Sequence, residues 1–408
     1  MRIVILLGAI FLSACNTQEL KNKEEIATVP AATIRPYLLK KALIDYNEKS
    51  FGVRIYQLIY KVAVDNREEF NASAIVAVPT AIESNDKSYT ALENIKRRGF
   101  ATVIDNHPTK IDKNSAPSFA SKINNFPNSL FLFSAKSGFI TLIPDFTGYG
   151  TSASLTHPYL IKKRNIANSK ALLKAYRAFC QEKKIPINID VGLYMVGYSE
   201  GAYISLAALD TFNKNSTKVT LTIAGGTPAL PETIAKEKLE SNSNEGLLFI
   251  AYLLYSYSKY YHDIDLKKII NRSYYPTFCT LFKGKQSVAD IQNALPKKLY
   301  GEDALLQPEF IENFESSPFY KHLQENSLRD LNIKDSVKLF HCKNDNVIPY
   351  SIAQEELDIL QSKGTQTTLH NVEKYVNYKK SNHVECGIYS YIVAEKIFRR
   401  LRLALQGY

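Results

Sequence analysis

Five residues, Gly197-Tyr-Ser-Glu-Gly201, stand between an apolar run, VGLYMV, and a segment rich in small residues, AYISLAAL. No other feature restricts the fold of this chain as tightly. A G-x-S-x-G pattern that directly follows a strand and directly precedes a helix requires a sharp strand–turn–helix bend. The glycines leave room for strand and helix to approach, and the serine is forced into a strained backbone conformation. Ser199 Oγ then stands above the sheet edge, at the positive end of the following helix. Glu200 offers its backbone N–H at the same place. Its side chain is expected to point outward from the first helical turn, where the helix dipole favours a carboxylate by ~0.3–1 kcal/mol.

The rest of the chain supplies the context such a bend needs. The segments 53–64 and 71–79 read as an opening antiparallel pair joined by the polar DNREEF. Strand-like runs follow at 101–105, 139–145, 191–199, 219–226, 335–345 and 366–372. Several are continuously apolar, as expected of parallel strands buried on both faces. Helical patterns alternate with them. In 165–184 the residues Ile166, Ala171, Leu172, Leu173, Tyr176 and Phe179 make an apolar stripe. Ser351 and Gln354 are spaced as a capping box. Alternation of this kind predicts a mostly parallel sheet with helices on both faces. It breaks between residues 227 and 332, which are helical and aromatic, and which read as a cap inserted between two sheet strands. The expected organisation is therefore core at 36–226 and 333–408, with a cap or lid at 227–332.

A serine hydroxyl is a weak nucleophile and needs a base. With the order serine, acid, histidine, the acid must stand at the C-terminal end of a strand beyond Ser199. Asp345 in HCKNDNVIP does, whereas Asp335 begins the same strand and lies at the wrong edge. Of the seven histidines, only His370 and His383 follow Asp345. His370 falls within a strand. His383 falls in the stretch between the last strand and the last helix, where a base can hang over the serine. Asp345 would hold the imidazole tautomer and stabilise the imidazolium. A developing oxyanion needs two N–H donors, one from Glu200 and one from the NHPTK loop after the strand ATVID. Pro108 has no N–H, so the second donor is His107 or Thr109. Cys342 and Cys386 each lie three residues from one of the triad partners, and a disulfide between them would brace both loops.

The residues IPDFTGYGTSASLTHPYLI (143–161), GYSEGA and HCKNDNVIP together resemble the α/β-hydrolases of the secreted lipase and esterase type. More narrowly, they look like bacterial lipoprotein relatives of the fungal secretory lipases, over roughly residues 50–408. The resemblance implies an α/β-hydrolase fold with a helical lid, the triad Ser199, Asp345 and His383, and ester hydrolysis with no metal or cofactor. The chain departs from the family at His107-Pro108-Thr109, where His-Gly-Thr is common, and at Glu200, where Gln or Gly is common. Asp145, Gly148, Gly150 and His157 read as structural members of a tight loop.

The N-terminus reads separately. Arg2 precedes an apolar run from Ile3 to Leu12, too short for the ~20 residues that span a bilayer, so 1–14 reads as a signal peptide. The ending LSAC resembles a lipobox, which implies cleavage before Cys15 and lipid attachment to its sulfur. Asn16 favours the outer membrane under the sorting rule of some bacteria, leaving the protein facing periplasm or cell surface. Residues 15–35 then read as a tether. The formal charge is +11, but the lysines are scattered, which argues against nucleic acid as a partner. The partners expected are a small-molecule or lipid ester and, through Cys15, a membrane. Two other functions fit the same scaffold, a serine peptidase and a non-catalytic binding lipoprotein. The first usually has a large β-domain ahead of its core, and the second usually lacks a member of the triad.

Overall fold

The computed structural model describes residues 24–406, except 49, 66–67, 82–86, 189–191, 243, 376 and 378–380. Cys15 and the segment 1–14 lie outside the described residues. A nine-stranded sheet runs through the protein in the order β1-β2-β3-β5-β4-β6-β7-β8-β9. β2 (Gly52–Val64) and β3 (Glu68–Thr80) form the long antiparallel pair, in register from Gly52 opposite Thr80 to Val64 opposite Glu68. β3 pairs antiparallel with β5 (Ile140–Pro144), and from there the sheet is parallel. It continues through β4 (Thr102–Asn106), β6 (Leu193–Tyr198), β7 (Leu221–Gly225), β8 (Val337–His341) and β9 (Thr367–Asn371). Every residue of β4, β5, β6 and β7 is buried, which is why these runs read as unbroken hydrophobic stretches.

Side chains alternate across the sheet with period two. Along β6, Tyr194, Val196 and Tyr198 enter one apolar cluster with Phe398 and Ala394 of the last helix. Leu193 and Met195 enter the other, with Leu172, Leu173, Tyr176 and Phe179 of the helix Lys162–Glu182 and Ile204 of the helix Glu200–Lys214. Helices thus cover both faces.

The start of the chain departs from expectation. Residues Glu25–Val29 form β1, paired antiparallel with β2, and Ala31–Lys40 form the first helix, α1. Part of the expected tether is therefore folded, and the core begins before residue 36. The cause is apolar spacing that a polar-looking stretch conceals. Val29, Ile34 and Leu38 are buried with Val53, Ile55 and Ile75. At the other end, the helix Tyr350–Ser362 begins after Pro349 with no side-chain cap, so Ser351 and Gln354 do not form the expected capping box. Pro349 sets the helix start through its fixed φ.

Among the described residues, no strand of the sheet falls between β7 and β8, and the chain there is helical. Its largest element is the helix Leu247–Tyr260. Leu253, Leu254 and Tyr257 belong to the same apolar cluster as the sheet and its flanking helices, so the insertion shares the core of the molecule. Its seat is the HPYL stretch. The Leu160 carbonyl accepts from Tyr203 Oη (3.1 Å) and Tyr257 Oη (3.2 Å). Ser256 Oγ donates to the His157 carbonyl and accepts from the Tyr159 N–H, both at 2.9 Å. No helix among the described residues is long and apolar enough to cross a membrane.

Candidate active site

Ser199 sits between β6 and the helix Glu200–Lys214 with φ 54° and ψ −124°. Backbone in this region is costly for a residue with a Cβ and persists only where its surroundings hold it. Two contacts do so. The Ser199 N–H donates to the Gly225 carbonyl of β7 at 2.8 Å. The glycines let the turn close: a Cβ on Gly197 would stand 2.2 Å from the Gly201 carbonyl oxygen. One on Gly201 would stand 1.8 Å from the Asn106 carbonyl oxygen. The latter approach brings the end of β4 and His107 against the first turn of the helix that follows Ser199.

Asp345 lies four residues past the end of β8. One carboxylate oxygen, Oδ1, accepts the N–H groups of Val347 and Ile348, both at 2.9 Å. The other, Oδ2, accepts Nδ1–H of His383 at 2.7 Å and Tyr198 Oη at 3.3 Å. Burial opposes ionisation of Asp345, but the bond to His383, the charges of His383 and His341, and the Ile348 N–H outweigh it and hold its carboxyl below the usual range. An ionised Asp345 fixes the Nδ1–H tautomer and leaves Nε2 of His383 as an acceptor. His383 is the first residue of the last helix, His383–Gln406, rather than part of a preceding loop. Cys342 and Cys386 are joined as a disulfide, linking the segment that carries Asp345 to the first turn of the helix that carries His383.

Ser199 and His383 line one cavity of about 610 Å³. His107, Pro108 and Thr109 form part of its wall, so both candidates for the second N–H donor border it. His107 is buried, with its ring 4.1 Å from that of Phe146 and Nδ1 2.8 Å from the Pro108 carbonyl oxygen. Burial, with the nearby Lys110 charge, pushes its pKa down to about 3, so the ring is neutral at physiological pH. The insertion contributes Leu248, Phe249, Tyr252 and Val288, and the last helix contributes Val384 and Ile388. Val288, Val384 and Ile388 are exposed at the rim. Asp105, at the end of β4, also borders the cavity; it accepts from Ser129 Oγ (2.5 Å) and Tyr391 Oη (2.8 Å). Among the described residues no group of three or more His, Cys, Asp and Glu is arranged to hold a metal ion.

Glu200 overturns an expectation. Its side chain does not face outward but is fully buried, with Oε1 2.5 Å from Nε2 of His157. His157 of the HPYL stretch meets the carboxylate, and Tyr252 of the insertion helix stacks on the His157 ring. Sequence reasoning missed this partnership. The signal was present in the helix itself, which is otherwise apolar around position 200 and so could not leave a carboxylate unpartnered. His341 was also missed. It is buried 3.6 Å from Asp345 Oδ2, with Nε2 2.9 Å from the Ile348 carbonyl oxygen. Asp145 accepts from the Ser118 N–H at 2.9 Å and Ser73 Oγ at 2.5 Å, and a Cβ on Gly150 (φ +54°) would stand 2.1 Å from it. These contacts tie the loop together.

Comparison with known proteins gives a consistent picture. The family model for secretory lipases matches residues 126–389. No curated protein matches the chain significantly. Among solved structures, one from Legionella pneumophila, described as a candidate hydrolase, superposes with a TM-score of 0.79 at 20% identity, covering 94% of this chain and 98% of that one. The rice cell wall degrading esterase LipA of Xanthomonas oryzae gives 0.75 at 19% identity, covering 95% and 97%. Candida antarctica lipase A in its closed state gives 0.59 at 15% identity, covering 90% and 79%. At these identities the likeness is one of fold.

Proposed function

The chain belongs to the secretory lipase family, and from that premise we propose that it is a serine hydrolase of carboxylic esters, with Ser199 as nucleophile, His383 as general base and Asp345 as its orienting partner. The observation that carries this is the 2.7 Å contact of Asp345 Oδ2 with His383 Nδ1, beside a cavity that the strained Ser199 also lines. Ser199 Oγ adds to the ester carbonyl carbon as its proton passes to His383 Nε2. The carbonyl oxygen becomes an oxyanion, held by the Glu200 N–H and by one N–H from His107 or Thr109. Collapse expels the alcohol, which takes the proton from His383, and leaves an acyl group on Ser199. Water, deprotonated by His383, releases the acid by the same steps. Asp345 stays ionised throughout.

The insertion at 227–332 acts as a cap whose Leu248, Phe249 and Tyr252 give the acyl chain an apolar wall. The family is a secretory one, and the chain is read as exported, cleaved before Cys15 and anchored by lipid there to the outer membrane. Metabolic labelling with an alkyne fatty acid, lost in Cys15→Ala, tests the anchor. For the chemistry, a soluble form starting at Asn16, which keeps β1 whole, is assayed on nitrophenyl esters of increasing chain length. Ser199→Ala is expected to abolish turnover, and hydrolysis that survives it would reject the mechanism. A preference for long chains would identify a lipase, and a preference for short ones an esterase.

A further inference from the structure

The buried contact between Glu200 and His157 has a proton count that its geometry dictates. His157 Nδ1 lies 2.7 Å from the Thr147 carbonyl oxygen, which can only accept, so Nδ1 carries a hydrogen. The 2.5 Å contact between Nε2 and Glu200 Oε1 contains one more. It belongs either to an imidazolium facing a carboxylate or to a carboxylic acid facing a neutral imidazole. Both arrangements hold two protons and are neutral overall. The surroundings admit no third partner easily. The His157 ring stacks with Phe146 (centroids 6.1 Å apart) and Tyr252 (6.2 Å), and meets the edge of Tyr149 (5.1 Å). Glu200 Oε2 is buried with no hydrogen-bond partner among the described residues.

The place of this pair is the second observation. Glu200 is the residue whose N–H faces the reacting carbonyl oxygen in the function proposed above, and the inference rests on that reading. Its side chain reaches across to the stretch on which the insertion is seated, because the carbonyl of His157 is the one that Ser256 holds. Gly148 closes the same stretch; a Cβ there would stand 2.7 Å from the His157 backbone. The peptide that binds the oxyanion is therefore tied by its own side chain to the HPYL stretch and, through it, to the insertion. We infer that His157 is a positioning residue for the oxyanion hole: by sharing a proton with Glu200 it fixes the Glu200 N–H and keeps uncompensated negative charge away from the developing oxyanion.

Two polar replacements of His157 separate this role from mere packing. His157→Gln puts an amide N–H near the place of Nε2, keeping a donor for Glu200 and losing the Thr147 contact. His157→Asn reaches only the place of Nδ1, keeping the Thr147 contact and stranding Glu200. Removing an oxyanion donor altogether costs ~10²–10³ in kcat, and a displaced donor costs less. The expected kcat falls are ~50-fold for His157→Asn and ~5-fold for His157→Gln, with KM within about threefold for both. The double replacement Glu200→Met with His157→Phe removes both polar partners while keeping volume, and is expected to recover about tenfold of the loss seen in His157→Phe alone, since an apolar pair strands no charge. Melting curves on each variant establish that it is folded. Equal kcat in the Asn and Gln variants, a reversed order, or a double variant no faster than His157→Phe overturns the inference. If the parent protein shows no Ser199-dependent ester hydrolysis, the functional reading itself is what fails.

Discussion

Replacing Cys342 and Cys386 together by alanine tests the link between the two segments that carry Asp345 and His383. The bridged cysteines are 44 residues apart in sequence. In the chain-entropy model, opening a loop of that length frees the unfolded chain by ~4 kcal/mol at 25 °C. Both sulfurs belong to fully buried residues in an apolar cluster with Phe340, Val372 and Val393, so alanine adds a modest packing loss and strands no polar group. At ~2.1 cal/mol/K per residue, a chain of 408 residues unfolds with an entropy near 0.86 kcal/mol/K. The expected fall in Tm is therefore ~5 °C. Thermal unfolding followed by circular dichroism measures it, beside kcat on one nitrophenyl ester at 25 °C. The same change should loosen the aim of His383, and a tenfold lower kcat at similar KM is expected, since misplacement by a fraction of an ångström is enough. Reduction of the native protein by dithiothreitol should reach the same end slowly, because the bridge is shielded from solvent. A double variant that melts within ~1 °C of the parent would refute the reasoning.

Asp345→Asn removes the charge that holds the His383 tautomer, and kcat is expected to drop by ~10⁴ with little change in KM, read by steady-state ester hydrolysis. Gly201→Ala drives a methyl group into the Asn106 carbonyl, 1.8 Å away. The 106–109 loop must retreat, with at least a 100-fold loss of kcat and ~1–3 kcal/mol of stability in urea titrations. Asp105 supplies a pH test. Burial raises its carboxyl to about 6, only partly offset by Ser129 and Tyr391, against ~3.9 in the unfolded chain. The folded state then holds the proton more tightly, so this contribution is full below pH ~4 and is lost as pH rises through ~6. Relative to the parent, Asp105→Asn should gain up to ~3 kcal/mol between pH 4 and pH 8; a difference that does not change with pH contradicts it.

The parts that could be read from sequence were those where chemistry and backbone geometry demand one residue type at one place. A serine between glycines can follow a buried strand only in a bend of this kind, and Asp345, read as standing beyond a strand end, lies four residues past β8 and 2.7 Å from His383. The parallel strands were legible because burial on both faces leaves unbroken apolar runs. β1 was not, because a five-residue edge strand with one buried side chain, Val29, has almost no pattern to show. The direction of the Glu200 side chain was not, because a tertiary contact decides it. Local propensity puts a carboxylate at a helix start facing water, whereas here it meets His157, on whose ring Tyr252 of the insertion helix stacks. Ser351 failed as a cap for a local reason, since Pro349 had already begun the helix.

The early strand bears on the proposed attachment at Cys15. With Glu25 already hydrogen-bonded into the sheet beside Tyr56, about ten residues separate the folded body from Cys15, a contour of at most ~35 Å. Under the proposed lipid attachment at Cys15, a span that short would give the protein a small search volume. It would work as a resident of one membrane face, acting on esters that arrive within a few nanometres of the bilayer. The β1 edge would be its fixed side, and substrate concentration at that surface, rather than in bulk, would set its rate.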